Sequence, residues 1–264
     1  MNKSHKTIGL ALSGGGHKGL AHAGVLQFLQ EQGIEAQVIA GTSAGSIVGS
    51  LYALGKKPAE ILDFFQSVNL FSLNHLSFGK GGLLDAEKFI IYLDDIFGDM
   101  TLAELKRDLY ISATNIETGR TKIFNRNVKV KEAVAASSAF PGVFSPVLVE
   151  GHLYSDGGIL NNFPVNTIQG RCDFLIGVNL DPSVGYKSHV ELNSIKSVTL
   201  RVMNIMMAYN AAFQNTQCDW NICPQRLREY NVFETSKKRI KEIYLIGYEE
   251  AAREFEQIKH KIMD

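Results

Sequence analysis

The chain reads as an α/β protein built on parallel strands, and three features of its 264 residues point there. Its first fifty residues alternate short apolar runs with helical stretches, strand–helix–strand–helix, the pattern of parallel strands joined by right-handed crossovers. A later run, Phe174-Leu175-Ile176-Gly177-Val178-Asn179, is almost wholly apolar, as a strand covered on both faces must be. The first two apolar runs end in glycine-rich turns, Ser13-Gly14-Gly15-Gly16 and Gly41-Thr42-Ser43-Ala44-Gly45, where strand gives way to helix.

Taken in order, residues 7–12 are the first buried strand. A helix follows the glycine loop to about Gln32, with Leu20, Ala23, Leu26 and Leu29 near helical spacing and Gly33 as its stop. Residues 37–40 form the second strand, and the small-residue run 47–54 predicts a tightly packed helix after it. Pro58 suits the first turn of a third helix. Residues 69–82 read as a loop carrying Phe71, Leu73, Leu76 and Phe78, either satellite packing or an apolar flap at a lipid-facing entrance. Asp85 begins a helix to about Ile96, and Thr101-x-x-Glu104 is a capping box for a short one. Residues 110–115 and 121–124 make a hairpin, and 131–139 a small-residue helix halted by Phe140-Pro141-Gly142. A second hairpin, 147–149 with 152–154, runs directly into Ser155-Asp156-Gly157-Gly158. Further on, a long helix is expected over 192–217, with Met203, Met206 and Met207 as core filler or, less simply, as acyl-chain contacts. Residues 220–223 suggest a last strand, and 237–263 a charged helix packing through Ile240, Tyr244, Ala251, Phe255 and Ile258. With no repeat, low-complexity tract or linker in the sequence, one domain over 1–264 is the economical expectation, its motifs within 7–180 and a helical part over 190–264.

Composition narrows the function classes. Hydrophobic residues make up 45% and charged residues 20%, which excludes wholesale disorder. Lys plus Arg and Asp plus Glu are both 27, so net charge draws the chain to no nucleic acid. Cys172, Cys218 and Cys223 have neither metal spacing nor an even disulfide count, so reduced thiols in a cytoplasmic protein are expected. The polar start, Met1 to Lys6, lacks the apolar segment of a signal peptide. No run approaches the ~18 apolar residues of a membrane span, so any membrane contact is expected to be peripheral.

The chemistry-bearing stretch is Gly41-x-Ser43-x-Gly45 between a strand and a helix, the pattern of a nucleophile elbow. Its glycines permit the sharp turn, and the helix N-terminus favours negative charge near Ser43. The competing role is a plain helix cap. Gly14, Gly16 and Gly19 also fit a dinucleotide loop, but the acidic partner should end the second strand, and Glu35 precedes that strand. A P-loop fails because Leu20, not Lys-Ser/Thr, follows Gly19. The alternative use of three glycines after a strand is to aim bare backbone N–H groups at an oxyanion.

A serine needs a base. Of seven histidines only His189 and His260 follow Asp156, and neither has the short loop after a strand that an α/β-hydrolase triad requires. Asp156 is the remaining candidate, in a loop that Gly157 and Gly158 predict to be tight and exposed. At its reference pKa near ~3.9 it is a weak base, so burial or an anionic neighbour would have to raise it. Its competing role is an ordinary Asp-Gly-Gly turn.

Gly14-Gly15-Gly16-His17-Lys18-Gly19, Gly41-Thr42-Ser43-Ala44-Gly45 and Asp156-Gly157-Gly158, in that order, resemble the patatin-like phospholipase family. Residues 136–146 and Asn161-Asn162-Phe163-Pro164-Val165 are similar to blocks of the same family, so the resemblance covers residues 7–180. It implies a three-layer α/β/α fold with a mostly parallel central sheet, and a serine acyl-ester hydrolase acting on lipids, of phospholipase A or lysophospholipase type. It implies Ser43 as nucleophile, Asp156 as base for the serine and for the deacylating water, and backbone N–H groups around Gly14, Gly15 and Gly16 as oxyanion hole. Lys18 stands where the family carries a basic residue, often arginine; it cannot make a guanidinium's paired bonds, and its plain role is a solvated charge at a helix start. No metal or organic cofactor is implied. The rival from another class is a non-catalytic lipid- or acyl-binding regulatory protein of the same fold.

Overall fold

The computed structural model describes residues 6–67, 86–180, 184–230 and 236–263. The expected apolar flap over 69–82 and the helix start at Asp85 lie outside them.

The apolar runs form strands as their patterns require. β1 (Ile8–Leu12), β2 (Val38–Thr42) and β7 (Phe174–Val178) are buried at every position. With β3 (Asp108–Asn115), β4 (Arg120–Phe124), β5 (Val147–Val149), β6 (His152–Asp156) and β8 (Trp220–Ile222) they make one sheet. Its order is β5-β6-β3-β2-β1-β7-β8, with β4 paired to β3. The β1–β2, β1–β7, β2–β3 and β7–β8 pairs are parallel, and the two hairpins and the β3–β6 pair antiparallel.

Strand alternation divides the interior into two cores, and so the molecule into three layers. Leu10, Leu12, Ile39, Phe174, Ile176 and Val178 point to one core. Ala11, Val38, Ala40 and Leu175 point to the other. The first, larger core lies under α1 (Leu20–Glu31), α2 (Ala44–Leu54), α3 (Pro58–Ser67), α4 (Ala86–Phe97) and α5 (Val130–Ser137). The second lies under two short helices, α6 (Gly158–Asn161) and α7 (Val165–Ile168), and the end of α8 (Ile195–Ala212). α9 (Lys237–Met263) returns to the first face. There Phe255 and Tyr248 meet Phe28 of α1 edge-on, with Ile240 and Ala251 of the expected stripe buried and Tyr244 and Ile258 half-buried.

Two local expectations change. The loop after β6 is not exposed: Gly157 and Gly158 are buried and lead at once into α6. The long helix ends at Ala212 and tightens into a 3-10 turn, Phe213–Gln217. Thr101 and Glu104 bond to each other and start the short helix expected there, a 3-10 helix over Leu102–Glu104. The three cysteines are half-buried free thiols, and burial pushes Cys218 up to about 12 and Cys223 to about 11, so both stay protonated. Among the described residues no helix is long and apolar enough to cross a membrane.

Candidate active site

The register of β3 creates the site. Ile111 and Ser112 pair with both β2 and β4, while Ala113, Thr114 and Asn115 pair with both β4 and β6. A strand has only two edges, so β2 and β6 share the one opposite β4. They approach each other head-on along it. β2 ends with Thr42 opposite Ser112, and β6 ends with Asp156 opposite Ala113. Ser43, the first residue past β2, is thereby set against Asp156. The junction leaves no space for a side chain at residue 157, where a Cβ would lie 2.1 Å from the Ser112 carbonyl oxygen and 3.0 Å from Thr42 Cγ2. That is the requirement behind Gly157. Across the junction the Thr42 hydroxyl donates to the Asn161 carbonyl at 2.8 Å, and the Thr114 hydroxyl to that of Asp156 at 2.9 Å.

Ser43 caps α2 with φ 50° and ψ −121°, a left-handed conformation that costs a non-glycine residue about 1–3 kcal/mol. Its backbone is held there from both sides. The N–H donates to Ser137 Oγ at 2.8 Å, and the carbonyl accepts from Ser46 N–H, Ser46 Oγ and Ile47 N–H at 2.8, 2.6 and 3.1 Å. Every polar backbone group of Ser43 is thus committed, which leaves the hydroxyl as its free chemistry. Gly45 lets the elbow seat, since a Cβ there would lie 2.2 Å from the Leu12 carbonyl oxygen at the end of β1. The plain-cap alternative weakens, because the Ser43 side chain makes no capping bond to α2.

Asp156 is fully buried. Its Oδ1 accepts the Gly158 N–H at 2.7 Å, while Oδ2 has no partner meeting hydrogen-bond geometry. Removal from water pushes the carboxyl's pKa up to about 7, against the lowering by the Gly158 N–H and the Ser43 side chain. Ser43 therefore lies within electrostatic reach of the carboxylate without a well-aligned bond.

The glycine loop closes the other side. A Cβ on Gly14 would lie 3.4 Å from Ser43 Cβ and 2.4 Å from Asn162 Oδ1. The N–H of Gly14 is not available as an oxyanion donor, because it is bonded to the Asn162 carbonyl at 2.9 Å. Among the described residues nothing accepts from the N–H of Gly15 or Gly16, so of the three glycines only that pair is uncommitted. Lys18 is buried in the 3-10 turn Gly16–Gly19, not a solvated surface charge. His22 is buried beneath the loop, its Nε2 2.8 Å from the Ser13 carbonyl, and burial lowers its pKa to about 4. It braces the loop as a neutral ring. Among the described residues no group of three His, Cys, Asp or Glu side chains is placed to hold a metal ion.

Two side chains at the site escaped the sequence. Ser137 Oγ accepts from Ser43 N–H and donates to the Ser112 carbonyl at 2.7 Å, tying the elbow to β3. Asn162 is buried between Gly14 and Gly158, its N–H bonded to Asn210 and its Oδ1 without a partner. A small serine in a helix and an Asn-Asn pair carry no local signal of such roles.

A strained serine at a strand–helix elbow thus stands beside a sealed carboxylate and a glycine loop, on the sheet of an α/β protein. The patatin-like phospholipase family model matches residues 10–168, and the chain belongs to that family. An uncharacterized NTE family protein of Mycobacterium tuberculosis is 36% identical over 184 residues, covering 68% of this chain and 51% of that protein. Lysophospholipase NTE1 of Saccharomyces cerevisiae is 30% identical over 187 residues, covering 67% of this chain and 11% of the yeast protein. The chain thus corresponds to about half of the first relative and a small part of the second. Among solved structures, VipD of Legionella pneumophila shares the fold with TM-score 0.67 and 16% identity over 96% of this chain and 67% of VipD. The type III effector ExoU does so at TM-score 0.50 and 13% identity over 95% of this chain and 53% of its own.

Proposed function

We propose that the chain is a serine acyl-ester hydrolase acting on lipids, of phospholipase A or lysophospholipase type, with Ser43 and Asp156 as its dyad. The observation that carries this is the head-on meeting of β2 and β6 on one edge of β3, which puts Ser43 beside a buried carboxylate. Lysophospholipase named among its relatives supports a lipid substrate.

In the first half-reaction the Ser43 hydroxyl attacks an ester carbonyl and its proton passes to the Asp156 carboxylate. The tetrahedral oxyanion is held by the N–H groups of Gly15 and Gly16 and favoured by the N-terminal dipole of α2. Asp156 then returns the proton to the departing alcohol, leaving an acyl-Ser43. In the second half, water loses a proton to Asp156, attacks the acyl carbonyl, and the collapsing intermediate returns that proton to Ser43. A carboxyl pushed up to about 7 suits both duties near neutral pH, a match that an exposed aspartate lacks. Lys18, buried in the turn that carries Gly16, is proposed to support the oxyanion loop.

The test is hydrolysis of a short-chain p-nitrophenyl ester and of micellar lysophospholipid by the wild type, Ser43→Ala and Asp156→Asn. Turnover by the wild type and none by either variant supports the dyad. Equal turnover by Ser43→Ala would reduce the elbow to a helix cap, and silence of the wild type on both substrates would favour a lipid-binding protein.

A further inference from the structure

We propose that the outer face of α8 docks on a lipid surface, an inference that rests on the lipid-ester hydrolase proposed above. α8 carries apolar residues on two faces. Leu200, Met207, Ala208 and Ala211 turn inward and pack or are buried. On the other side Ile195, Val198, Val202, Ile205, Tyr209 and Phe213 recur every three or four residues, within roughly 100° of the helix circumference. All six are exposed, Ile195, Tyr209 and Phe213 to 89%, 83% and 76%. The ridge runs the length of an 18-residue helix, about 27 Å. The fold does not need it, since the inward face already supplies the packing, and a contiguous exposed apolar strip of this size marks an interaction surface.

Charge and position select a lipid surface as the occupant. Residues 192–218 contain no Asp or Glu, although the chain has 27, and their only full charges are Lys196 and Arg201. An apolar ridge on a helix whose other residues are two cations in sequence and neutral Ser, Thr and Asn complements anionic headgroups lying over hydrocarbon. The helix is also fixed to the catalytic turn. Asn210 donates to the Gly158 and Ile159 carbonyls at 2.9 and 3.2 Å, and its Oδ1 accepts the Asn162 N–H at 2.9 Å. Met207 Cε occupies the space directly against Gly158, where a Cβ would meet it at 2.0 Å. A surface bound to the outer face of α8 is therefore one helix away from the turn that follows Asp156.

The experiment uses Ser43→Ala, expected to lack turnover, sedimented with phosphatidylcholine vesicles containing phosphatidylglycerol. Beside it is the same protein carrying Ile205→Ser, Tyr209→Ser and Phe213→Ser. The triple change is expected to lower vesicle partitioning at least about tenfold with no loss of melting temperature. In the Ser43 background it should leave hydrolysis of a soluble short-chain ester unchanged. Should the triple variant melt early, Ile195→Ser with Val198→Ser gives the same readout from the other end of the ridge. Equal partitioning of parent and variants overturns the proposal, as does a parent that stays in the supernatant. A dimer in solution that the variant dissolves overturns it too, in favour of a second copy on the ridge. Binding is read without turnover, so docking can fail while the esterase stands, and the reverse.

Discussion

The β2–β6 junction and the outer face of α8 depart from the usual partition of residues in opposite senses. The first seals a carboxylate and an unpartnered asparagine oxygen inside the protein, beside a strained, half-buried serine. The second leaves an isoleucine, a tyrosine and a phenylalanine almost fully in water. A buried charge-bearing group and an exposed apolar strip are the two informative exceptions, since neither helps the fold. The difference between them lies in what holds them. The junction is over-determined by strand register and backbone hydrogen bonds, whereas the ridge is held only by the inward face of its own helix. Substitutions in the first region should therefore disturb chemistry and stability together, and those in the second neither, until a surface is present.

The largest effect is expected at the dyad. Ser43→Ala should lower ester kcat/KM by at least about 1,000-fold, measured on a soluble ester, with the fold intact by circular dichroism. Residual activity above that level would remove Ser43 from the nucleophile role. Asp156→Asn should cost turnover on the same scale yet raise stability at neutral pH. The sign follows from the carboxyl's raised pKa. Its proton is held in the folded protein and lost from the unfolded chain between pH 3.8 and about 7, so its stabilising contribution is complete below 3.8 and gone above about 7. Ionising it in place opposes folding by on the order of 4 kcal/mol. An Asp156→Asn protein less stable than wild type at pH 8 would contradict the burial of that charge.

His22 works in the other direction. Its pKa is depressed from 6.5 to about 4, so its contribution is present above pH 6.5 and is lost as pH falls through about 4. The two buried groups oppose each other between pH 4 and 6.5. Melting of Asp156→Asn should therefore rise with pH across that window more steeply than melting of the wild type. Parallel curves for the two proteins would break the expectation.

A smaller loss is expected at Ser137→Ala, which removes the acceptor of the Ser43 N–H and the donor to Ser112. About 1–3 kcal/mol of stability should go with it, read in urea melts, and about tenfold in kcat with little change in KM. Smallest is Tyr209→Ser, expected to shift stability by less than about 0.5 kcal/mol and soluble-ester hydrolysis not at all. A loss of several kcal/mol there would mean the outer face of α8 packs after all.

Much of this was legible in the residues, and the limits have physical causes. Strand–helix alternation and unbroken apolar runs announced β1, β2 and β7, because strands buried on both faces have no polar positions to hide. The elbow and glycine loop were legible because they are local, a few residues whose backbone chemistry is written consecutively. Asp156 needed elimination and family resemblance, and its environment differs from the expected exposed turn: the turn is tight but buried, with Gly157 in close contact with Ser112 and Thr42. Ser137 and Asn162 fall in stretches similar to family blocks, but their bonding roles were not legible, because their partners lie 94 and 48 residues away. The commitment of the Gly14 N–H to Asn162 was hidden for the same reason. In α9 a single apolar stripe identified the inner face; in α8 apolar residues on both faces concealed which one the protein uses.

The most direct measurement is the pH dependence of kcat/KM on a soluble ester, taken alongside thermal stability over the same range. If Ser43 is activated by the buried Asp156 carboxylate, kcat/KM should rise tenfold per pH unit and level off at about 7, where the carboxyl ionises. A rate that levels off near pH 4, or that keeps the same limb in Asp156→Asn, would show that another group serves Ser43.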